Sequence, residues 1–171
     1  MYSCDLMSLL VLSGFIFSGA LMKLADEMED GKLLLPAGVA YLTGIAYGAL
    51  IGLLMVFDKS AAHLFGGIII GCLVTGKIDA ESHYLALGTI LLIVLSKGLV
   101  LSMPLLLTIA VLAAIDELTS DSGREVLRYR VVLKIGVVLM VVLGVVHWYA
   151  ALYLLSFDGV YLVMGRLLNR S

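Results

Sequence analysis

Charge is what this sequence has least of. Only 14% of its 171 residues are Asp, Glu, Lys or Arg, and 62% are hydrophobic. Soluble domains carry roughly 25% charged residues. So few charges cannot supply a polar skin, which excludes a soluble globular domain. Eleven basic and thirteen acidic side chains leave a net charge of −2. The chain therefore has no basic surface for nucleic acid, and it is too apolar to be disordered. Cysteine is also scarce: Cys4 and Cys72 lie far apart, which excludes a disulfide scaffold, and both are expected as free thiols. The N-terminus lacks a basic n-region, and its first apolar run meets Lys23 and acids instead of a small-residue cleavage site. A retained helix is expected there, not a cleaved signal. There is no Gly-x-Ser-x-Gly, His-Glu-x-x-His or Walker loop, no arginine-rich voltage sensor and no potassium-filter sequence.

Long apolar runs are present instead. A helix crossing a bilayer needs about 20 mostly apolar residues. The expected fold is an all-α polytopic transmembrane bundle of about six spans with short loops, a single integral-membrane domain over residues 1–171. The spans fall near 6–22, 33–57, 61–75, 80–96, 99–115 and 131–157. Residues 160–168 form a short interfacial tail after a break at Asp158-Gly159, anchored by Arg166 and Arg170. Ser96-Lys97-Gly98 divides the fourth span from the fifth, Pro104 kinks the fifth, and Ser60 caps the third. Gly44, Gly48 and Gly52 repeat every four residues and share a helix face, which suits close helix packing in lipid or a homo-oligomer.

Six spans gather ten of the thirteen acids on one side, in loops near 23–32, 76–83 and 116–130. That side also has more Lys and Arg, which makes it cytoplasmic by the positive-inside rule and puts both termini outside. The expected location is a prokaryotic cell membrane.

Three clusters carry candidate chemistry. Asp26 and Asp30 are four apart, as are Asp79 and His83, so each pair shares a helix face. Asp116, Glu117 and Asp121 close the fifth span. Carboxylates crowded at a membrane surface need a neutralising partner, and Mg²⁺ prefers such oxygens, often shared with a substrate phosphate. The expected metal ligands are Asp26, Asp30, Asp79, His83, Asp116 and Asp121. Asp79, His83 and Glu117 are the catalytic candidates, and Lys77, Arg124 and Arg130 the phosphate contacts. Solvated loop acids, positive-inside anchors and a snorkelling Lys97 are the plainer readings of the same residues. His63 reads as a polar helix start, and His147, beside Trp148 and Tyr149, as a hydrogen-bonded or interfacial histidine.

The stretch Asp26-Glu27-Met28-Glu29-Asp30, followed by Gly31-Lys32-Leu33-Leu34-Leu35-Pro36-Ala37-Gly38, resembles the first aspartate-rich motif of UbiA-type membrane prenyltransferases. Asp116-Glu117-Leu118-Thr119-Ser120-Asp121-Ser122-Gly123-Arg124 is similar to the second. The chain departs from the pattern in having Leu24-Ala25 before Asp26, acids five apart in the second motif, and fewer spans. The resemblance implies Mg²⁺ on Asp26, Asp30, Asp116 and Asp121, with Arg124 and Lys77 touching an isoprenoid diphosphate. The expected function is a Mg²⁺-dependent membrane transferase or hydrolase acting on a phosphorylated lipid or isoprenoid. The alternatives are a cation transporter or channel, and a structural subunit of a membrane complex.

Overall fold

A computed structural model describes residues 2–33, 35–120 and 130–168, without the side chains of residues 2–5 and 37. These residues form seven helices and no strand: α1 (Tyr2–Glu29), α2 (Ala37–Phe57), α3 (Lys59–Val74), α4 (Glu81–Lys97), α5 (Met103–Ser120), α6 (Val131–Val142) and α7 (Trp148–Leu168). Four of them contain segments long and apolar enough to cross a membrane: Leu6–Glu29, Gly38–Phe57, Met103–Ser120 and Trp148–Leu168. The apolar helices α3 and α6 are shorter, and α4 has 17 residues. Large apolar side chains such as Phe17, Leu42, Leu92, Leu95 and Val111 stand exposed on the outside, as they would facing lipid.

Several boundaries differ from the expected ones. The first helix does not stop at Lys23 but runs on to Glu29, because buried Glu27 pairs with Lys23 at 2.6 Å one turn earlier. The expected sixth span is two helices. Gly144, at φ +71°, lets the chain close α6 with Val145 N–H on the Met140 carbonyl and Gly144 N–H on that of Val141. Asp158-Gly159 breaks nothing: both lie inside α7, where Asp158 pairs with Lys134 of α6 at 2.5 Å. Residues 160–168 are therefore the last turns of α7 and not a separate tail. Pro104 sits in the first turn of α5, where its missing N–H costs no helical bond, so it makes no kink. The cap of α3 is Asp58, whose Oδ1 accepts from Ala61 N–H at 2.7 Å, in place of Ser60. The break after Lys97 is present, with Gly98 at φ +79°.

Three parallel helix pairs organise the bundle. Phe15 stacks on Tyr153, Gly19 lies against the Phe157 backbone, and Lys23 reaches Gly165, so α1 and α7 run the same way. The two ends of the described chain therefore lie at opposite ends of the bundle, which replaces the expectation of both on one side. Gly44, Gly48 and Gly52 of α2 meet Ser82, Ala86 and Ile90 of α4 in the same order. Gly66, Gly67 and Gly71 of α3 meet Leu106, Ile109 and Ala113 of α5 likewise. The face of α2 read as a docking stripe is thus covered by this chain's own α4, leaving no room there for a second copy. At the centre Phe15 stacks on both Phe65 and Tyr153, with centroids 4.5 and 5.0 Å apart.

A Cβ on Gly48 would lie 2.6 Å from the Ala86 carbonyl oxygen, whereas one on Gly88 would meet nothing within 4 Å. Gly48→Leu is expected to cost about 1–3 kcal/mol through overpacking, and Gly88→Leu nothing measurable. Thermal unfolding in detergent compares the two.

Candidate functional site

The helix arrangement brings the C-terminal parts of α1, α3, α5 and α7 to one end of the bundle, together with the N-terminal parts of α2 and α4. A cavity of about 380 Å³ opens there. Its deeper wall is apolar, made by Ile51, Phe65, Ile68, Ile69, Leu87, Ile90 and Phe157. Its outer part is polar and takes residues from every quarter of the fold. Asp26 comes from α1, Tyr47 from α2, Cys72 from α3, His83 from α4, Glu117 from α5 and Tyr161 from α7; Arg130 stands just before α6. Lys23, Glu29, Asp30, Lys77 and Asp79 complete the rim.

Four of these groups form one hydrogen-bonded chain. Tyr161 O–H donates to Asp26 Oδ2. Asp26 Oδ1 lies 2.9 Å from His83 Nε2. Tyr47 O–H lies 2.5 Å from His83 Nδ1. A carboxylate only accepts, so beside an ionised Asp26 the Nε2 atom carries a proton, and Nδ1 is left to accept from Tyr47 O–H when the ring is neutral. The order Tyr47–His83–Asp26–Tyr161 ties α2, α4, α1 and α7 together. A histidine backed by a carboxylate and touching a hydroxyl is a unit that can take up and return a proton.

On the far side Arg130 Nη2 contacts Glu117 Oε1 at 2.6 Å, and the Cys72 thiol points at the same oxygen from 3.7 Å. Burial works against the Arg130 charge, but the Glu117 carboxylate outweighs it and holds the guanidinium above the ordinary arginine range. The Arg130 backbone is left-handed at φ 50°, ψ 52°, a conformation that costs a non-glycine residue about 1–3 kcal/mol. At the rim, Lys32 bonds Asp30 at 2.8 Å, which raises the lysine above its usual range. Glu29 accepts from Ser82 N–H at 3.0 Å and so caps α4.

Most of the residues expected from the sequence meet at this one cavity: Asp26, Asp30, Lys77, Asp79, His83, Glu117 and Arg130 all line it. Asp116 does not. It is 1% exposed, and its two oxygens accept Val132 N–H at 2.9 Å and Leu133 N–H at 2.6 Å, so it caps α6. Asp121 and Arg124 lie outside the described residues. The reading missed Tyr47, Tyr161 and Cys72. A tyrosine buried among glycines and alanines, as Tyr47 is, signals a hydroxyl that needs a partner. No local pattern links Tyr161 to Asp26, 135 residues away.

The other two histidines lie outside this cavity, and His63 is a buried link, not only the polar start of a helix. His63 Nε2 accepts Ser102 N–H at 2.8 Å and its Nδ1 meets the Lys59 carbonyl at 2.6 Å, so the ring is a structural link. His147 stacks on Tyr149 at 4.8 Å beside Trp148, an aromatic cluster at the opposite end.

Among the described residues no three His, Cys, Asp or Glu side chains gather closely enough to hold a metal by themselves.

Comparison with known proteins finds no match to a family model, to a curated protein or to a solved structure.

Asp116→Ala is expected to lose about 1–2 kcal/mol of stability through the lost α6 cap while leaving ligand affinity at the cavity unchanged. Thermal unfolding read beside ligand binding checks both halves.

Proposed function

We propose that this protein is a polytopic membrane enzyme, a transferase or hydrolase, acting on a phosphorylated lipid or isoprenoid held in this cavity. One observation carries the reading. A single cavity joins an apolar wall to a rim of acids, bases and hydroxyls drawn from all parts of the bundle. Ligand pockets are mostly apolar with a few convergent polar groups, and this one falls in their usual range of about 300–1,000 Å³. A molecule with a polar end and a hydrocarbon end fits both halves.

The residues divide the work. Lys77 and Arg130 supply positive charge for a phosphate. Tyr47 and His83 handle a proton: a hydroxyl or water at the rim releases it to the Tyr47 oxygen as the Tyr47 proton moves to His83 Nδ1. Asp26 then stabilises the imidazolium. The cavity is lined by five carboxylates, Asp26, Glu29, Asp30, Asp79 and Glu117, against the cations Lys23, Lys77 and Arg130, with Lys32 beside Asp30. A phosphate alone would be repelled by that balance. One or two rim carboxylates would hold a Mg²⁺ ion together with the phosphate oxygens, and the ion would offset that negative excess. Asp30 and Asp79, exposed at the rim, suit that role. Of the described aspartates that the resemblance to UbiA-type prenyltransferases assigns to Mg²⁺, this use keeps Asp30 alone: both oxygens of Asp26 are engaged by Tyr161 and His83, and Asp116 caps α6.

The cavity mouth is placed at the cytoplasmic face. With α7 parallel to α1, Arg166 moves to the acid-rich end and joins Lys23, Lys32, Lys77 and Arg130 there, leaving Lys59 and Lys97 at the other. The N-terminus then lies outside and the end of α7 inside.

The test is a thermal-shift titration of detergent-purified protein with lipid phosphates and isoprenoid diphosphates, with and without Mg²⁺. A ligand at a hundred times its Kd stabilises by about 2.7 kcal/mol. A rise is expected only with the phosphorylated ligand and Mg²⁺ together, and Asp79→Asn should weaken it. No shift with any of these ligands would sink the reading.

A further inference from the structure

We propose that a smaller cavity at the opposite end of the bundle is a second binding site, which takes a small organic acid: a carboxylate on an apolar body of about six carbons. The inference is independent of the proposed function, because the two cavities share no lining residue.

The space follows from how α6 ends. Helix α6 has only 12 residues and stops at Val142. Gly144, at φ +71°, then turns the chain, with Val145 N–H on the Met140 carbonyl. The connection carries Val145, Val146 and His147 past the end of α6 before α7 begins at Trp148. Beside it α3, α5, α6 and α7 enclose a cavity of about 180 Å³. Its inner wall is made by Leu64, Ile109, Val137, Met140 and Ala150, all buried. The aromatic layer of Phe15, Phe65 and Tyr153 lies beyond Leu64, so the inner end is blind.

The outer end offers donors and no carboxylate. Lys59 and His147 are exposed, and half-buried Ser60 stands next to Lys59. His147 Nδ1 accepts Tyr149 N–H at 3.5 Å, which leaves Nε2 as the proton-bearing donor. Among the described residues nothing in the protein engages the Lys59 ammonium, the Ser60 hydroxyl or His147 Nε2. His63 has no nitrogen to spare, since the Lys59 carbonyl and Ser102 N–H occupy both. Asp58 is engaged by Ala61 N–H and does not line the cavity. Five carboxylates line the larger cavity and none lines this one, so the ligand group that fits here is an acceptor.

Charge and size narrow the ligand. One permanent positive charge beside two neutral donors matches a monoanion. A phosphate dianion would leave charge uncompensated against apolar walls, which is costly. The head is therefore a carboxylate, bound by charge-assisted hydrogen bonds. An aliphatic cavity of about 150 Å³ holds benzene, so this one takes a ring or chain of about six carbons.

The experiment uses the full chain in neutral phosphatidylcholine nanodiscs. The probe is hexanoate with a terminal trifluoromethyl group, read by its fluorine resonance, and protein-free nanodiscs are the blank. Saturable broadening that unlabelled hexanoate reverses is expected. Acetate, which lacks the body, and hexylammonium, which lacks the negative charge, are expected to compete at least about tenfold less well, and hexyl phosphate less well than hexanoate. Lys59→Met, at an exposed position, is expected to weaken hexanoate by about tenfold, and Leu105→Trp, which fills the apolar part, to abolish its binding. Absence of reversible broadening in the wild-type chain would overturn the site. So would binding left unchanged by both variants. If Leu105→Trp does not fold, Lys59→Met decides. Competition by acetate or hexylammonium equal to that by hexanoate would overturn the ligand class, and tighter binding of hexyl phosphate would overturn the carboxylate.

Discussion

Asp26 is the point at which this bundle is tied together. One carboxylate, in the last turn of a long apolar helix, takes Tyr161 from α7 on one oxygen and His83 from α4 on the other, and through His83 it reaches Tyr47 of α2. In a chain with so few charges, a polar group inside the bundle costs several kcal/mol unless its partners are in place. Tyr47 and Tyr161 each need a hydroxyl partner, His83 needs two, and Asp26 supplies or completes all of them. The four helices are thus positioned by one network rather than by separate pairs. The larger cavity lies at that end, where polar contacts span the helices, and the middle of the bundle closes on aromatic side chains.

The glycine contacts and the polar network act in opposite senses and need each other. Three parallel pairs, α1 with α7, α2 with α4 and α3 with α5, approach closely through small residues, as packing in lipid favours. Parallel neighbours cannot be joined by a tight turn, so each pair is separated in sequence by at least one helix running back. Those returning helices carry the charged loops to the same end each time. The alternate loops that are rich in acids in the sequence therefore fall at one end, and the cavity lies there.

Much of this was legible in the sequence, and what was not has definite causes. The apolar class followed from composition, and the breaks at Asp58 and Gly98 from local turn chemistry. The four-residue glycine spacing marked the face that α4 covers, although nothing local says whether the cover comes from the same chain. The division of 131–157 was hidden because Gly144 looks like any small residue in a membrane helix until its left-handed backbone is seen. Asp158-Gly159 misled because a lone acid in an apolar run reads as a break unless its partner, Lys134, is known to be adjacent. Of the site, the clusters around Asp26, Asp79 and Glu117 were visible as charge. Asp116 was counted with them because a capping carboxylate and a ligand carboxylate look identical in one dimension. Tyr47 and Tyr161 escaped because their importance lies wholly in a long-range partner.

The choice between enzyme and conduit turns on what lies beneath the cavity. A second, smaller cavity of about 180 Å³ opens near the other end, lined by Lys59, His63, Met140, His147 and apolar neighbours. The two come closest at α3, where Phe65 walls the first and Leu64 the second. Between them stands the stacked layer of Phe15, Phe65 and Tyr153, with Phe157 set edge-on to Phe65. Phe15 and Tyr153 are each only 1% exposed, and no charged group belongs to that layer. An ion crossing it would have to shed its water against aromatic rings with nothing in return. A carrier that alternated its access would have to part the best-packed contacts in the molecule. The aromatic layer instead gives the first cavity an uncharged floor, with the hydrogen-bonded chain of Tyr47, His83, Asp26 and Tyr161 at its outer end.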